Sequence, residues 1–259
     1  MKKSVPLIIS LLFVLIALSI QISYSLQHLD IIPQKFSDTI VTYSDSSIVA
    51  ANGGKSDISI DSVTDKGLFY HYRLDSTFAY YYAGIQFHFP TSKLINLTKY
   101  SHINIKIDGG NSSTMRFFLL TDEQGISKPT DATTWRHLRA YIPTREGKKS
   151  YTIELNSLNT PQWWFETYNT SAPLLSKIPI SRVRGVKIES GEGEPTNIIE
   201  SIIIQKIRFY TPVPPLYKTI QILLIILTLL LLAFRFGIIK RVQLGNYKPI
   251  ILGNLFERT

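Results

Sequence analysis

The sequence predicts an all-β fold: an antiparallel β-sandwich of the jelly-roll type, flanked by two transmembrane helices. Two observations predict the sandwich. Apolar and polar residues alternate over about nine short segments, as in half-buried strands, and Gly, Asp, Asn and Pro cluster between these segments. A third observation predicts the helices, because the chain carries a long apolar run near each end.

The first apolar run follows two lysines and extends over residues 5–20. It predicts an N-terminal transmembrane anchor over residues 1–25. The alternative is a cleaved signal peptide, because Ser23 and Ser25 are spaced like the small residues of a cleavage site. We favour the anchor, since the run is longer than the roughly 7 to 15 apolar residues of a signal peptide.

The second apolar run covers residues 216–234. As a helix rising about 1.5 Å per residue it would span about 28 Å, close to the hydrocarbon thickness of a bilayer. We therefore predict a transmembrane helix over residues 216–239 and a short basic tail over residues 240–259. The alternative is a buried helix of a globular domain, but such helices normally keep a polar stripe and are shorter.

Charge predicts the orientation of the chain in the membrane. The formal net charge is +9, and most of the excess lies beside the two apolar runs. By the positive-inside rule both termini are cytoplasmic, and residues 26–215 form an extracytoplasmic domain of an integral protein of a bacterial inner membrane. The lipid bilayer is the expected partner of the basic flanks, and nucleic acid is not expected as a partner.

The domain between the helices contains no cysteine, so its stability must come from its core. Residues 94–100 and 155–168 lack regular alternation and are predicted to be irregular. The nine predicted strands are residues 57–63, 67–74, 83–89, 101–108, 115–121, 138–143, 150–155, 183–190 and 200–210.

Residues 56–210 resemble a known family in the order of their motifs. The motifs are "FYHYRLDS", "YYYAGIQFHF", "LINLTKYSHINIKIDG", "YTIELNSLNTPQWW", "RVRGVKIESG" and "IIIQKIRFY". This order is similar to that of galactose-binding-like jelly-roll domains related to family 11 carbohydrate-binding modules and to complex I intermediate-associated proteins. The resemblance implies a jelly roll and gives more support to a fold than to a function.

The tail carries a second resemblance. The segment "LGNYKPIILGNLFER", residues 244–258, resembles the juxtamembrane linker of membrane-bound AraC-type regulators. The DNA-binding domain that would follow such a linker is absent from this sequence.

The sequence offers little for catalysis or metal binding. It contains no Gly-x-Ser-x-Gly motif and no cysteine nucleophile, and its five histidines are scattered. We therefore predict no catalytic residue, no metal site and no cofactor. Glu189, Glu192 and Glu194 crowd one predicted loop and either hold calcium or are solvated; we favour solvation, because the spacing matches no defined calcium loop.

Aromatic residues are the best candidates for ligand binding, because exposed rings can stack on the faces of sugars while polar neighbours fix the orientation. A strand through three consecutive tyrosines would show at least one ring on each face. The alternative is that these rings fill the core. The candidate binding residues are Tyr80, Tyr81, Tyr82, Gln86, His88, Arg116, Trp135, Trp163 and Trp164.

These observations lead to one preferred function and two alternatives. We predict a non-catalytic, membrane-anchored binding or sensor module that recognises a glycan or another ligand of the cell envelope. The first alternative is an assembly protein whose sandwich binds a membrane protein partner. The second is an envelope enzyme such as a glycosidase, which would need two facing carboxylates.

Overall fold

The computed structural model describes residues 5–32, 39–48, 54–90, 94–144, 149–171, 178–190 and 193–235. Within these ranges the chain forms eleven strands and four helices. The strands are β1 His28–Ile32, β2 Thr39–Ser44, β3 Asp57–Thr64, β4 Gly67–Arg73, β5 Ala83–His88, β6 His102–Asp108, β7 Met115–Thr121, β8 Arg136–Ile142, β9 Ser150–Glu154, β10 Val183–Ser190 and β11 Ile199–Tyr210. The helices are α1 Val5–Leu26, α2 Asp45–Ile48, α3 Gln162–Thr167 and α4 Pro215–Arg235.

The strands form two sheets, and every pairing within them is antiparallel. Sheet A has the order β3-β4-β11-β6-β9, with β1 also paired to β11. The 12-residue strand β11 is long enough to pair with β4 along its first half and with β1 along its second half. Sheet B has the order β2-β5-β10-β7-β8. The predicted antiparallel β-sandwich is confirmed.

The core lies between the two sheets and follows the alternation seen in the sequence. In sheet A, for example, Ile103, Ile105 and Ile107 of β6 are buried while the residues between them are not. Each such side chain contributes roughly 1.5–3 kcal/mol by leaving water. In sheet B, the inward residues of the three central strands include Ile85, Phe87, Phe117, Leu119, Val186 and Ile188.

The central strands of sheet B depart from simple alternation. Every residue of β10 is buried, and so are six of the seven residues of β7. If only one face of these strands packed on other residues, the side chains on the opposite face would be exposed to solvent. The outer face of sheet B, meaning the side turned away from the sandwich core, is therefore largely covered.

Strands β1 and β2 are missing from the sequence prediction, whose sandwich domain is residues 26–215 but whose first strand begins at residue 57. Their sequences, HLDII and TIVTYS, are short and do not alternate strictly. The predicted strand 138–143 begins two residues earlier, at Arg136. The irregular segments were predicted correctly: residues 94–100 form no strand beyond an isolated bridge at Ile95, and residues 155–168 contain a short 3₁₀ turn and α3.

Helices α1 and α4 belong to one compact unit, in which they contact each other, and the strands belong to a second unit, Gln27–Pro212. In α4, Pro215–Ala233 is long and apolar enough to cross a membrane, and most of its side chains are exposed, unlike those of a core helix. The apolar part found in α1, Leu11–Tyr24, is shorter. The C-terminal span predicted in α4 thus meets the criterion of length and composition for a membrane-crossing helix. The N-terminal span in α1 stays a prediction. The predicted tail 240–259, with its AraC-like segment, lies outside the described residues.

Candidate functional site

The outer face of sheet B carries a dense set of polar and aromatic side chains. On each strand the outward positions alternate with the core positions. The strand register aligns the outward positions in three rows, and each row crosses β2, β5, β10, β7 and β8 in turn. The first row is Tyr43, Gly84, Glu189, Arg116 and Tyr141; the second is Val41, Gln86, Lys187, Phe118 and Arg139; the third is Thr39, His88, Gly185, Leu120 and His137.

Glu189 is the centre of a charged cluster on this face. Its carboxylate accepts a hydrogen bond from the Tyr43 hydroxyl at 2.6 Å, and it lies 2.9 Å from Lys187 Nζ and 3.0 Å from Arg116 Nε. The side chains of Lys187 and Glu189 are only 11% and 6% exposed. The Lys187 ammonium also lies 4.7 Å from the ring centre of Tyr43 and 4.4 Å from that of Phe118. A carboxylate and two ring faces therefore replace the water around this ammonium.

Gly84 makes this cluster possible, because it stands between Tyr43 and Glu189 in the first row. Since glycine has no side chain, Tyr43 can extend across β5 to reach Glu189. A Cβ at Gly84 would lie 2.4 Å from the Ile188 carbonyl oxygen and 2.6 Å from Glu189 Cβ. Any other residue here would displace β10 and with it the carboxylate.

The ion pairs fix the protonation states in the cluster. Burial alone would raise the pKa of Glu189, but the charges of Lys187 and Arg116 hold that pKa below its ordinary value. Burial and the Glu189 charge raise the pKa of Tyr43 well above its ordinary value, and the same two effects raise the pKa of Tyr82 to about 12. At neutral pH the site therefore holds an ionised carboxylate beside two neutral phenols, whose ring centres are 5.9 Å apart.

The part of the face around Leu120 and His137 is largely apolar. Phe118, Leu120 and Trp135 form a second, smaller hydrophobic cluster. The ring of His137 lies 5.7 Å from that of Phe118, and burial lowers the pKa of His137 to about 3. His137 is therefore neutral and contributes a ring rather than a charge.

Helix α3 places two adjacent tryptophans in opposite environments. Trp164 is fully buried, and its indole N–H donates to the Trp135 carbonyl at 2.8 Å. Trp163 is 43% exposed, and its ring centre lies 5.1 Å from that of His137. Successive side chains on a helix differ by about 100° in direction, so one ring enters the interior and its neighbour remains at the surface.

A second exposed ring lies further along β8. Tyr141 is 46% exposed, and the Arg139 guanidinium lies 4.8 Å from its ring centre. His137, which carries the Trp163 contact, is four residues from Tyr141, a separation of about 13 Å at about 3.3 Å per residue. Two exposed rings therefore flank Arg139. The backbone of Arg139 pairs with Asn159, which covers this edge of the sheet.

Five of the nine predicted binding residues lie on or beside this face: Tyr82, Gln86, His88, Arg116 and Trp163. Gln86 and His88 are half-buried in the second and third rows. Burial lowers the pKa of His88, whose ring centre lies 5.2 Å from that of Trp135. The structure brings these residues together, and their role in binding stays a prediction.

The three tyrosines lie before β5, in a turn and a short extended segment, so the condition of a strand through all three is not met, and β5 begins at Ala83 as predicted. Tyr80 is 80% exposed in the turn. Tyr81 packs against the inner core, and its hydroxyl donates to the Glu194 carbonyl at 3.2 Å. Of the three, only Tyr82 faces the charged cluster.

Two predicted binding tryptophans are buried, which corrects the expectation that they are available to a ligand. The Trp135 indole donates to the Lys128 carbonyl at 2.9 Å, as the Trp164 indole does to Trp135. Both rings have a satisfied N–H and an apolar environment. Both rings are buried, as in the alternative prediction, but Trp135 belongs to the small cluster on the outer face of sheet B and neither ring belongs to the core between the sheets.

The sequence prediction missed Tyr43, Phe118, His137, Arg139, Tyr141 and Lys187 as residues of this face. A signal was present in part, since "RHLRAYI" and "VRGVKIES" alternate and place these β8 and β10 residues opposite the core. The pairing of β2 with β5, which brings Tyr43 to the face, has no such signal in the sequence.

The crowded carboxylates have separate roles. Glu189 lies in β10 and not in a loop. The Glu194 carboxylate accepts hydrogen bonds from Ser113 N, Ser113 Oγ and Thr114 N at 2.6–2.9 Å, so it fastens the loop before β7. Glu192 lies outside the described residues. In the part of the chain that the structure describes, no group of three His, Asp or Glu side chains is arranged to hold a metal ion.

Comparison with known proteins gives a structural likeness alone. No family model matches the chain. No curated protein matches it. The chain is similar to the family 11 carbohydrate-binding module from Clostridium thermocellum in complex with a β-1,3-1,4-mixed-linked tetrasaccharide, with 13% identity over 72% of this chain and 96% of that chain and a TM-score of 0.48.

Two further solved structures are similar over much of this chain. For the xylan-binding module CBM15 the identity is 10% over 71% of this chain and 95% of that chain, with a TM-score of 0.39. For the agarase AgWH50C it is 10% over 73% of this chain and 26% of that chain, also with a TM-score of 0.39. Identities this low transfer no residue role, and the function must be argued from the face itself.

Proposed function

We propose that this protein is a non-catalytic, membrane-anchored module that binds a glycan on the outer face of sheet B. The observation that carries the proposal is the pair of exposed rings, Trp163 and Tyr141, which lie on either side of Arg139 at the β8 edge of the face. Sugar rings have apolar C–H faces that pack on aromatic rings, and hydroxyl groups that need hydrogen-bonding partners. The face supplies both.

The polar part of the face supports this role. Gln86 and Arg139 are cross-strand neighbours of Lys187 and Phe118 in the second row, and both are half-buried rather than fully covered. An amide and a guanidinium can hydrogen-bond to hydroxyl groups in defined directions. Arg139 would orient a sugar that stacks on Tyr141, whereas Gln86 is three strands away on β5, about 14 Å, and would contact a more distant sugar of the same glycan.

The buried ion pairs also support a binding role. A buried ion pair stabilises a fold no better than well-packed apolar residues of similar volume. The network of Glu189, Lys187 and Arg116 therefore has little value for stability alone, but it locks the rings of Tyr43 and Phe118 in place. A face whose rings are fixed loses less entropy when a ligand binds.

Membrane anchoring is the second part of the proposal. Pro215–Ala233 matches the thickness of a bilayer, and Arg235 follows it. With the basic flanks in the cytoplasm, the sandwich would lie outside the membrane, where envelope glycans are found. Helix α1 would be a second anchor.

The test uses the full-length protein in detergent and a panel of oligosaccharides on a glycan array, followed by calorimetry on the best ligand. Trp163→Ala and Tyr141→Ala should each weaken binding about 5- to 150-fold, since a ring stacked on a planar or ring-shaped ligand contributes on the order of 1–3 kcal/mol. Tyr210→Ala is the control, because Tyr210 is a half-buried tyrosine on the outer face of sheet A. If no saccharide binds and membranes instead yield a stoichiometric protein partner, the assembly function replaces this one.

A further inference from the structure

We propose that helix α1 stays on the mature protein and packs against α4 as the second member of a two-helix membrane unit, rather than leaving as a cleaved signal peptide. This inference rests on the membrane-anchoring part of the proposed function and names the segment that covers one side of α4. It does not depend on the glycan. The observation behind it is which side chains of α1 and α4, two helices in contact, are buried.

Helix α4 buries polar side chains and exposes apolar ones. Gln221 and Thr228 are only 9% and 7% exposed, and within residues 215–233 they are the only buried residues. By contrast, Ile222, Leu223 and Leu229 are each more than half exposed. A helix of a water-soluble protein shows the reverse arrangement, because its apolar side is the buried one. A membrane helix presents apolar side chains to lipid and polar or small ones to a neighbouring helix.

The covered residues of each helix lie on one side of it. In α4, Gln221, the half-buried Leu224 and Thr228 are three and four residues apart, the spacing that aligns side chains along one face of a helix. We call this line of residues the α4 seam. The half-buried residues of α1 have a similar spacing and form the α1 seam: Val14, Ala17, Ile20 and Tyr24. Contact between the two helices along these seams accounts for both patterns.

The two seams match in depth. In the topology predicted from charge, α1 runs outward and α4 runs inward, so the last residue of α1 and the first residue of α4 mark the same side of the membrane. Ala17 and Leu224 are each nine residues from these ends, about 14 Å at about 1.5 Å per residue. Ile20 and Gln221 are each six residues from them. The covered residues of the two helices therefore lie at equal levels, as antiparallel packing requires.

Loss of α1 would leave the α4 seam in contact with lipid. The Thr228 hydroxyl donates to the Leu224 carbonyl at 2.8 Å, so its own helix supplies an acceptor. The side-chain amide of Gln221 has two N–H donors and an acceptor oxygen, and hydrocarbon offers none of the partners that water would supply. Removal of α1 would therefore cost free energy at Gln221, and retention of α1 avoids that cost.

The first experiment measures the mass of the full-length protein after its expression in a bacterium and purification from the membrane fraction. We expect the mass of the intact chain, about 29.5 kDa. A chain that begins near residue 26 would overturn the proposal and leave both anchoring by α4 and glycan binding in place. Recovery of the protein in the soluble fraction would contradict the membrane anchoring itself, and this inference would fall with it.

The second experiment tests the pairing of the helices in membranes. Because the chain contains no cysteine, two introduced cysteines are its only thiols. Ala17→Cys combined with Leu224→Cys places one thiol on each seam at equal depth, and mild oxidation should join them within one chain in most molecules. The control is Ile16→Cys combined with Ile225→Cys, a pair that is also matched in depth but lies off the seams, with exposed side chains. It should stay largely unlinked, since a disulfide needs Cβ atoms about 3.5–4.5 Å apart.

The form of the cross-link identifies what covers the α4 seam. A disulfide within one chain, detected as a loss of thiol labelling in a band of unchanged mass, supports the proposal. A disulfide between two chains, seen as a band of doubled mass on a non-reducing gel, would show that a second copy covers the seam and would overturn it. Equal cross-linking of the control pair would show that the helices have no fixed contact, which would also overturn it. Glycan binding by the same membranes should be unchanged in either case.

Discussion

The two sheets of the sandwich have very different outer faces. The outer face of sheet A carries polar pairs that lie in water: the hydrogen-bonded Asp61 and His71 are 46% and 40% exposed, and the Lys149 side chain, which pairs with Asp108, is 60% exposed. Such pairs contribute little to stability and are screened by salt. Sheet A therefore resembles an ordinary solvated surface.

The outer face of sheet B carries charges that are removed from water. Glu189, Lys187 and Arg116 are nearly buried, and aromatic rings enclose the lysine. Removing charges from water costs several kcal/mol for each ion before their attraction offsets it. The two outer faces therefore differ in how far their charged side chains are removed from water.

Glu189→Ala should give the largest change in the free energy of unfolding and the clearest difference between the two sheets. Without the carboxylate, Lys187 and Arg116 are left buried and uncompensated, so we expect a loss of about 3–5 kcal/mol in the free energy of unfolding. Asp108→Ala on sheet A is the matched control and should cost less than about 1 kcal/mol. Urea unfolding followed by tryptophan fluorescence measures both. Equal, small losses would show that the Glu189 cluster is hydrated in solution.

Trp163 and Trp164, adjacent residues of α3, allow a second comparison. Trp164→Ala removes a fully buried ring and should destabilise the protein by about 3–5 kcal/mol. Trp163→Ala removes a ring that is nearly half exposed and should cost far less, while glycan binding should weaken. Thermal melts paired with calorimetry on both variants measure this. A large loss of stability for Trp163→Ala would place that ring in the core instead.

The pH dependence of stability should come from the buried histidine His137 on the outer face of sheet B. In the unfolded chain the pKa of His137 returns to about 6.5, whereas in the fold it is about 3. Between these values the unfolded chain binds a proton that the folded chain does not, so stability falls as the pH drops from about 6.5, by up to about 1.4 kcal/mol per pH unit.

Urea unfolding of the full-length protein at pH 7, 6 and 5 measures this dependence. His137→Asn should flatten the slope, because asparagine does not titrate. Part of the slope should remain, since burial also lowers the pKa of His88. Identical slopes in the variant and the wild type would mean that His137 is solvated.

The smallest effect is expected on the solvated side. Lys149→Ala removes the exposed partner of Asp108, 2.6 Å away, and should change the free energy of unfolding by less than about 1 kcal/mol. The change should vanish in high salt. An effect that exceeds 1 kcal/mol and survives high salt would reduce the contrast between the two sheets.

Local patterns in the sequence determined much of this protein. The nine predicted strands are present, because the alternation of apolar and polar residues is a short-range property that survives in any arrangement of the strands. The apolar run of α4 was predicted for the same reason, since its length and composition are readable from the chain alone. The short strands β1 and β2 were missed, because their pairing partners and not their own patterns define them.

Only the tertiary structure decided which side chains form the candidate site. Tyr43 and Glu189 are 146 residues apart in the chain, and they meet because β2 and β10 both pair with β5 at Gly84. Trp163 and Trp164 are adjacent in the sequence, but one is exposed and the other buried, because successive side chains of a helix point in different directions. Periodicity fixes which face of a strand is apolar, but the neighbours of that face are set by strand order and register, which depend on contacts distant in sequence.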